Sequence, residues 1–322
     1  MRIYPKIYTR RASNNTMNQN QKTILVDSSN LLHRAVWITQ NARRNVSPSY
    51  IFLTSIKKYA EKFNCNNIIS VWDKRLIRGV KNYRRLAKKA EYKQNRDSEK
   101  NAKVFSHEDL TTEFLECLGV KNMYPGILEA DDVISWLTKY TPGKKVVVSV
   151  DQDMLQLIND DTIVYSPIKD ILIDKNNFEQ SIGVPRDEFL RYKSLIGDKS
   201  DNLPGVERVG KKTAIKLLQE CVTDDQLLEK LGPERLSPYY TNLQMIDLNV
   251  GLEKHPDDPK LYQEQYDKIQ NQEPDFKKLQ TMCEERGIRK INTDIHIWQN
   301  VFGKKSLNQT LENIVKGLEQ TK

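Results

Sequence analysis

The chain has 322 residues, of which 38% are hydrophobic and 29% charged, and its formal net charge is +8. This composition describes a polar globular protein that can bury a core in one large or two modest domains. The sequence has no apolar run near the roughly 20 residues that a membrane-spanning helix needs, and its basic N-terminus lacks the apolar stretch of a secretory signal. The four cysteines are far apart, which disfavours a zinc site or a disulfide framework and fits reduced thiols in a cytosolic setting.

The first part of the chain predicts a polar arm followed by two strands. Residues 1–22 are asparagine-rich and basic without periodicity, so we expect a flexible arm, in which Met17 is an alternative start. Residues 23–27 (TILVD) form a short apolar run that ends on an aspartate, as is typical of a buried strand. Residues 28–59 are predicted to be largely helical with a break near Pro48, and residues 67–73 (NIISVWD) repeat the strand pattern.

The basic residues are concentrated in one segment. Residues 74–100 carry eleven Lys or Arg against three acids, and therefore account for the whole net charge. Such a local excess predicts an element that binds a polyanion, with a solvated helix face as the alternative. Tyr83 and Tyr92 lie among the cations, an arrangement suited to phosphates and stacked bases of a single strand, although both could equally be packing residues.

A cluster of acids opens the next predicted helix. Residues 106–118 have apolar positions at helical spacing, and residues 127–140 read ILEADDVISWLTKY after a turn at 124–126. Glu129 and Asp131 are about 200° apart on an ideal helix, so a regular helix could not direct both to one ion. We expect Glu129 before the helix and Asp131 in its first turn, both directed at the edge of a sheet. Acids are also favoured at helix N-termini for their charge alone, and for Asp132 capping and metal ligation both stay open.

The strand that organises the chain lies in residues 144–153, which read KKVVVSVDQD. Its valine run follows the turn at 142–143 and ends on Asp151 and Asp153. Three strands that each end in aspartate would collect negative charge at the carboxyl edge of one sheet, where open α/β sheets bind ligands. Only a metal or a basic ligand would make that charge tolerable. Residues 154–158 are predicted to begin a helix, and 162–165 with 171–173 a hairpin-like extension.

The second half of the chain contains a glycine turn between predicted helices at 189–196 and 211–220. Gly205 and Gly210 permit a tight turn with exposed amides, and Lys211 and Lys212 fall at a helix N-terminus. This combination predicts a cradle for a phosphate backbone. The remaining residues are predicted to be helical, and a final helix at 306–322 either packs on its own domain or binds a partner.

Nine acids are expected to converge at the carboxyl edge of the sheet, and all of them would offer a metal ion carboxylate oxygens. They are Asp27, Asp73, Glu129, Asp131, Asp132, Asp151, Asp153, Asp198 and Asp201. Such a set without Cys or His suits Mg²⁺ or Mn²⁺. Two such ions about 4 Å apart can activate water and stabilise the leaving oxygen in phosphodiester hydrolysis. Together with the basic segment and the glycine turn, the acids predict a nuclease.

From about residue 23 to residue 220 the chain resembles the structure-specific 5′-nuclease (flap endonuclease) family. The resemblance rests on the motifs LVDSSN, VWD, YRRLAKKAEYKQNR, EADD, SVDQDMLQL and GDKSDNLPGVERVGKKTA, in family order. Within the family it is most similar to the tailed-phage ribonuclease H and 5′-exonuclease enzymes. The resemblance implies an α/β fold, in which residues 23–185 form a PIN-like core with a mostly parallel central sheet flanked by helices. It also implies a helical arch at 74–100 and a helical DNA-binding and C-terminal region at 186–322, with a helix–three-turn–helix element at 189–220.

The resemblance also implies roles for individual residues. The first metal site would be formed by Asp27, Asp73, Glu129 and Asp131, with Asp132 close by. The second would be formed by Asp151, Asp153, Asp198 and Asp201. Arg85, with Lys81 as its companion, would contact the scissile phosphate. The DNA-binding residues would be Arg84, Lys88, Lys89, Tyr92, Lys93, Arg96, Gly205, Gly210, Lys211 and Lys212, and the glycine turn would hold K⁺.

The activity implied by the family is a Mg²⁺- or Mn²⁺-dependent 5′→3′ nuclease acting on DNA and on the RNA of RNA–DNA hybrids. We expect a monomer that cleaves 5′-flap, nicked or gapped duplexes in replication and primer removal, with a single-strand-binding protein as partner and no membrane association. A phage-encoded enzyme would act in the cytoplasm of a bacterial host. Two rival interpretations are a PIN-type ribonuclease, disfavoured because such domains are short and lack the arch and glycine turn, and a non-catalytic branched-DNA-binding protein with degenerate acids.

Overall fold

The computed structural model describes residues 21–41, 46–87 and 98–303. Six strands form its central sheet: β1 (Lys22–Asp27), β2 (Ile68–Val71), β3 (Lys121–Met123), β4 (Lys144–Val148), β5 (Thr162–Ser166) and β6 (Ile171–Ile173). Their order is β3-β2-β1-β4-β5-β6, with parallel pairing except between β5 and β6. The predicted mostly parallel sheet and the β5–β6 hairpin are therefore confirmed.

Helices cover both faces of the sheet. The first half of the chain contributes α1 (Ser28–Asn41), α2 (Pro48–Phe63), α3 (Tyr83–Ala87), α4 (Ser98–Cys117), α5 (Ala130–Tyr140) and α6 (Phe178–Ile182). The second half contributes α7 (Phe189–Ile196), α8 (Lys211–Glu220), α9 (Asp224–Leu231), α10 (Pro233–Ile246), α11 (Leu248–Lys254), α12 (Asp257–Ile269), α13 (Phe276–Glu285), α14 (Arg289–Thr293) and α15 (Ile295–Phe302). Two short strands, β7 (Gly197–Asp198) and β8 (Leu203–Pro204), pair antiparallel after α7.

The alternation of side chains along β1 divides the core in two. Leu25 lies on the face covered by α5 and α7–α12, whereas Ile24 and Val26 lie on the face covered by α1, α2, α4 and α13–α15. Both faces of a parallel sheet are buried in this way, which is why its strands are almost continuously apolar. The second half of the chain therefore packs on both sides of the sheet. None of the helices in the described ranges is both long and apolar enough to cross a membrane.

Several predicted boundaries differ from the structure. β1 begins at Lys22, which the sequence assigned to the arm, and α4 begins well before residue 106. Gln152–Leu157 form a 3₁₀ helix where the start of a regular helix was predicted, and the Asp151 carboxylate caps it by accepting the Asp153 N–H. The break at Pro48 is confirmed, since this residue begins α2. The predicted helix at 306–322 and the arm through residue 20 lie outside the described residues.

Candidate active site

The carboxyl ends of β1, β2 and β4 meet at one edge of the central sheet. β1 lies between β2 and β4, and the parallel register pairs Asp27 with Val71 and Val26 with Val148. The chain moves from β1 to β2 on one side and returns to β4 on the other, so the strand order reverses between β1 and β4. Open α/β sheets bind their ligands at such a reversal. The acids that follow these strands are Asp27, Asp73, Asp151 and Asp153.

Asp27 is a buried carboxylate at the centre of this edge. Its Oδ2 accepts hydrogen bonds from Ser149 Oγ at 2.6 Å and from Asn30 Nδ2 at 2.7 Å. Burial raises the pKa of Asp27 from 3.8 to about 6, and repulsion by Asp73 and Asp151 adds to the rise, although both hydrogen bonds oppose it. Asp27 is therefore close enough to two other carboxylates to be influenced by their charge.

Asp73 connects the end of β2 to the start of α5. Its N–H donates to Ser29 Oγ at 2.8 Å, and its Oδ1 accepts the N–H of Ala130, the first residue of α5, at 3.2 Å. Glu129 precedes the helix with an extended backbone (φ −122°, ψ 166°), and the half-buried Asp131 lies in the first turn. The sequence had predicted these two positions, which bring the start of α5 against the acidic edge.

Asp132 and Arg84 form a buried ion pair. Asp132 is fully buried, and its carboxylate forms a bidentate ion pair with Arg84 at 2.7 and 2.9 Å. Its Oδ2 also accepts the N–H of Glu129 at 3.1 Å, as in helix capping, and metal ligation by Asp132 stays a prediction. Arg84 is only 2% exposed and donates also to the Met245 carbonyl, so its guanidinium faces the interior here, and its predicted contact with DNA stays a prediction.

Glu129 therefore lies in a positively charged setting. Its carboxylate is 3.7 Å from Arg75 Nη2 and 3.6 Å from Arg84 Nη1. Opposite charges at this distance attract each other. Arg75 belongs to the basic segment, so the start of that segment contacts the acidic edge directly.

Asp153 and Asp198 share a lysine that the sequence analysis assigned no role. Lys193 Nζ lies 3.0 Å from Asp153 Oδ1 and 2.7 Å from Asp198 Oδ2. Burial raises the pKa of Asp153 from 3.8 to about 7, with Asp151 adding to the rise and Lys193 opposing it. Burial alone would lower the pKa of Lys193, but the two carboxylates raise it above its ordinary value.

Lys193 also brings the second half of the chain to the sheet edge. Burial works to raise the pKa of Asp198, but hydrogen bonds from Lys193 and Ser200 lower it overall. Asp201 lies half-buried in the turn that follows β7. The only sequence signal for Lys193 was its position on a predicted helix five residues before Asp198, and amphipathic helices commonly carry such lysines on their exposed face.

The predicted glycine turn joins β8 to α8. A Cβ at Gly205 would collide with the carbonyls of Leu195 and Ile196, so the close approach of this turn to α7 requires glycine. Gly210 precedes α8 with open space around it, and Lys211 and Lys212 are exposed in the first turn. The turn therefore presents two cations at a helix N-terminus, as the sequence predicted.

The basic segment is described only in part. Lys81 is exposed two residues before α3, and the backbone of Arg85 lies within that short helix. The Arg85 side chain and the predicted DNA contacts Lys88, Lys89, Tyr92, Lys93 and Arg96 lie outside the described residues. Their roles stay predictions.

The chemistry of the acidic edge fits a divalent cation. Asp27, Asp73, Asp151 and Asp153 offer carboxylate oxygens, the ligands that Mg²⁺ and Mn²⁺ prefer. Burial, with a smaller contribution from neighbouring carboxylates, raises the pKa values of Asp27 and Asp153, and a bound cation would lower both. Across residues 21–41, 46–87 and 98–303, no three His, Cys, Asp or Glu side chains form a group that could hold a metal ion as they stand. Lys193 instead neutralises part of the charge in this arrangement.

The fold and this edge define an α/β nuclease-like core with a helical second half, and comparison with known proteins agrees. Residues 22–183 match the family described as 5′-3′ exonuclease, N-terminal resolvase-like domain, and residues 184–281 match 5′-3′ exonuclease, C-terminal SAM fold. The chain belongs to the 5′-3′ exonuclease family. This confirms the family resemblance, the fold class and the assignment to nuclease enzymes.

Individual relatives support the same conclusion. The 5′-3′ exonuclease of Bacillus subtilis strain 168 is 34% identical over 228 residues, which cover 66% of this chain and 75% of that protein. The 5′-3′ exonuclease of Halalkalibacterium halodurans is 31% identical over 235 residues, which cover 67% of this chain and 75% of that protein. The bacteriophage T5 D15 flap endonuclease, solved as a pseudo-enzyme–product complex with DNA and metal ions, matches with a TM-score of 0.63 at 19% identity, over 77% of this chain and 99% of that one. At this identity the structural match shows a shared fold.

Proposed function

We propose that this chain is a Mg²⁺- or Mn²⁺-dependent 5′→3′ nuclease that hydrolyses DNA and the RNA of RNA–DNA hybrids and has 5′-flap endonuclease activity. The observation that carries the proposal is that Asp27 lies within electrostatic reach of Asp73 and Asp151, and Asp153 within reach of Asp151 and Asp198, at the carboxyl ends of neighbouring parallel strands. Burial there raises the pKa values of Asp27 and Asp153 to about 6 and about 7. Family membership supports the nuclease class. The metal ions and DNA in the T5 D15 complex support the cofactor and the substrate.

Two groups of acids would hold the metal ions. The first group is Asp27, Asp73, Glu129 and Asp131, and the second is Asp151, Asp153, Asp198 and Asp201. Bound divalent ions would lower the pKa of an attacking water and stabilise charge on the leaving oxygen. Asp132 is left out of both groups because Arg84 engages both of its oxygens.

The other residues would bind and orient the nucleic acid. Lys211 and Lys212 would contact the phosphates of the duplex, together with amides of the glycine turn, which would also hold K⁺. Lys81 and Arg85 would contact the scissile phosphate as the single-stranded 5′ end passes through the basic segment. Lys193 would favour the ionised forms of Asp153 and Asp198 until a metal ion replaces its charge, because its ammonium lies within 3.0 Å of both.

The biological setting is part of the same proposal. A 5′→3′ nuclease with these substrates suits primer removal during replication, with 5′-flap, nicked or gapped duplexes as its targets. A single-strand-binding protein would be its partner, and the chain would act as a monomer.

The test is the substitution of single acids at the sheet edge. Asp27→Asn and Asp153→Asn should each abolish Mg²⁺-dependent cleavage of labelled 5′-flap and hybrid substrates while the proteins still bind the flap duplex. The matched control is Asp161→Asn, because Asp161 is exposed, pairs with Lys144 at the start of β4 and so lies at the opposite edge of the sheet. Cleavage at the wild-type rate by both edge variants would refute the proposal.

Substrate titrations separate this function from its rivals. A PIN-type ribonuclease would cleave single-stranded RNA without preferring a 5′ flap. A non-catalytic junction-binding protein would shift labelled flap DNA in a gel at every Mg²⁺ or Mn²⁺ concentration without forming product.

A further inference from the structure

Helix α12 contacts the turn that precedes Glu129, although the two are remote in sequence. Asp258 Oδ2 accepts the N–H of Ile127 and the N–H of Leu128, each at 3.0 Å. Gln265 accepts the Tyr124 N–H at 3.0 Å and donates to the Tyr124 carbonyl at 2.9 Å. Asp258 and Gln265 are seven residues apart, so they lie on one face of the helix. One helix face thus holds both ends of the turn at 124–128.

The Asp258 carboxylate is built into the interior. It is 1% exposed, and the Tyr262 hydroxyl donates to its Oδ2 at 2.7 Å in addition to the two backbone amides. Hydrogen bonds to an ionised carboxylate are stronger than neutral ones, and they compensate for its burial. A Cβ at Gly126 would lie 2.6 Å from Asp258 Oδ1, so this carboxylate packs directly against the glycine backbone of the turn.

The turn carries two elements of the proposed site. Leu128, whose N–H Asp258 binds, is directly followed by Glu129, the residue that precedes α5. On the other side, the N–H groups of Leu76 and Ile77 donate to the carbonyls of Pro125 and Gly126 at 2.9 and 3.2 Å. Leu76 and Ile77 belong to the basic segment. A shift of the turn would therefore move Glu129 and the start of the basic segment together.

We propose that Asp258, assisted by Gln265, is a positioning residue that fixes Glu129 and the start of the basic segment relative to the sheet edge. It contacts neither substrate nor reacting atoms, and it acts through the backbone of residues 124–128. This inference rests on the proposed nuclease function. The sequence gives no sign of it, because adjacent acids at the start of a helix, here Asp257 and Asp258, are commonplace.

The test compares Asp258→Asn with Asp257→Asn. Asparagine has the size of aspartate but lacks the charge, and in either orientation its NH₂ group replaces an oxygen that lies within 3.1 Å of the Ile127 nitrogen, so a donor faces a donor. The side chain of Asp257 is 87% exposed and pairs only with Lys260 among the described contacts, which makes it the matched control. In the metal-free protein, amide hydrogen exchange at Ile127 and Leu128 should become at least about tenfold faster in Asp258→Asn alone. At saturating flap substrate, kcat should fall by about 10–100-fold with KM within about twofold, as for loss of a residue that orients a metal ligand.

A second variant keeps the proposal testable if Asp258→Asn does not fold. Gln265→Leu removes both hydrogen bonds to Tyr124 and should lower kcat in the same direction by a smaller factor. Faster amide exchange at Ile127 and Leu128 with an unchanged kcat would overturn the positioning role. A fall in kcat that is fully explained by a smaller folded fraction at the assay temperature would overturn it as well. If the wild-type protein forms no product, the proposed nuclease function is refuted. If the wild type cleaves normally and Asp258→Asn cleaves at the same rate, only the positioning role is refuted.

Discussion

Asp27→Asn should make the metal-free protein more stable at alkaline pH, even though it should abolish cleavage. The Asp27 carboxylate is buried, and its hydrogen bonds come from the neutral donors Ser149 and Asn30. Asparagine has the same shape, and its carbonyl oxygen can accept both hydrogen bonds. The substitution therefore removes a buried charge beside Asp73 and Asp151 and keeps the local contacts.

The magnitude follows from the pKa of Asp27. Burial raises it from 3.8 to about 6, so the folded state binds this proton more tightly than the unfolded state. The resulting stability is fully present below the unfolded pKa and is lost as the pH rises through about 6. A rise of about two units at about 1.4 kcal/mol each amounts to about 3 kcal/mol at pH 8. Relative to the wild type, Asp27→Asn should thus gain about 3 kcal/mol at pH 8 and almost nothing near pH 4.

Urea unfolding with a chelator present measures this difference. The free energy of unfolding is compared at pH 8 and near pH 4 for wild type, Asp27→Asn and the exposed control Asp161→Asn, which should change by less than about 0.5 kcal/mol. Adding Mg²⁺ should then stabilise the wild type but not Asp27→Asn, because a ligand that binds the folded state stabilises it. An Asp27→Asn protein no more stable than the wild type at pH 8 would refute this account of the sheet edge.

Three further predictions concern charges around the same edge. Arg84→Met should lower the free energy of unfolding, measured with urea, by about 3–5 kcal/mol, because it leaves the buried Asp132 without its ion-pair partner. Adding Asp132→Leu to this variant should recover most of the loss. If the two substitutions instead destabilised the protein additively, a buried ion pair would be contradicted. Lys193→Met should shift the acidic limb of the pH–rate profile to higher pH. The pKa of Asp153 is already raised to about 7, and the substitution removes the cation that opposes this rise. An acidic limb at the wild-type pH would exclude the role of Lys193 in holding down the pKa of Asp153. Burial raises the pKa of Glu108 to about 7. As the pH rises from about 5 to about 8, the free energy of unfolding of the wild type should therefore fall relative to that of Glu108→Gln. If the difference between the two free energies stayed constant across this range, that pKa would be contradicted.

The acids that follow strands could be predicted from the sequence for a simple reason. A short apolar run that ends on an acid fixes that acid at the carboxyl end of a buried strand, and parallel strands bring those ends together. This holds for Asp27, Asp73 and Asp151. Glu129 and Asp131 could be placed because helical geometry excluded a shared helix face.

The buried ion pair could not be predicted from its sequence context. Arg84 lies in a run of cations, of which the described Arg78 and Lys81 are exposed, and Asp132 lies in a run of acids that looks uniform. The surroundings of the pair include Met245, whose carbonyl accepts a hydrogen bond from Arg84 and which lies 161 residues away. The role of Asp258 could not be predicted from the sequence for the same reason, because only the packing of α12 against the turn at 124–128 distinguishes it from its exposed neighbour Asp257.

Along the acidic edge, protein cations lie beside some of the carboxylates but not beside others, and this difference should set the order in which metal ions bind. Glu129 lies beside Arg75 and Arg84, and Asp153 lies beside Lys193. Asp27, among the described contacts, has only neutral hydrogen-bond donors. Among the described residues no cation pairs with Asp27 itself, whereas a divalent ion that approaches Asp153 must offset the charge of Lys193. The first ion to bind should therefore occupy the Asp27 side, and Lys193→Met should strengthen binding of the second ion with little effect on the first, which calorimetric Mn²⁺ titration of the two proteins would measure.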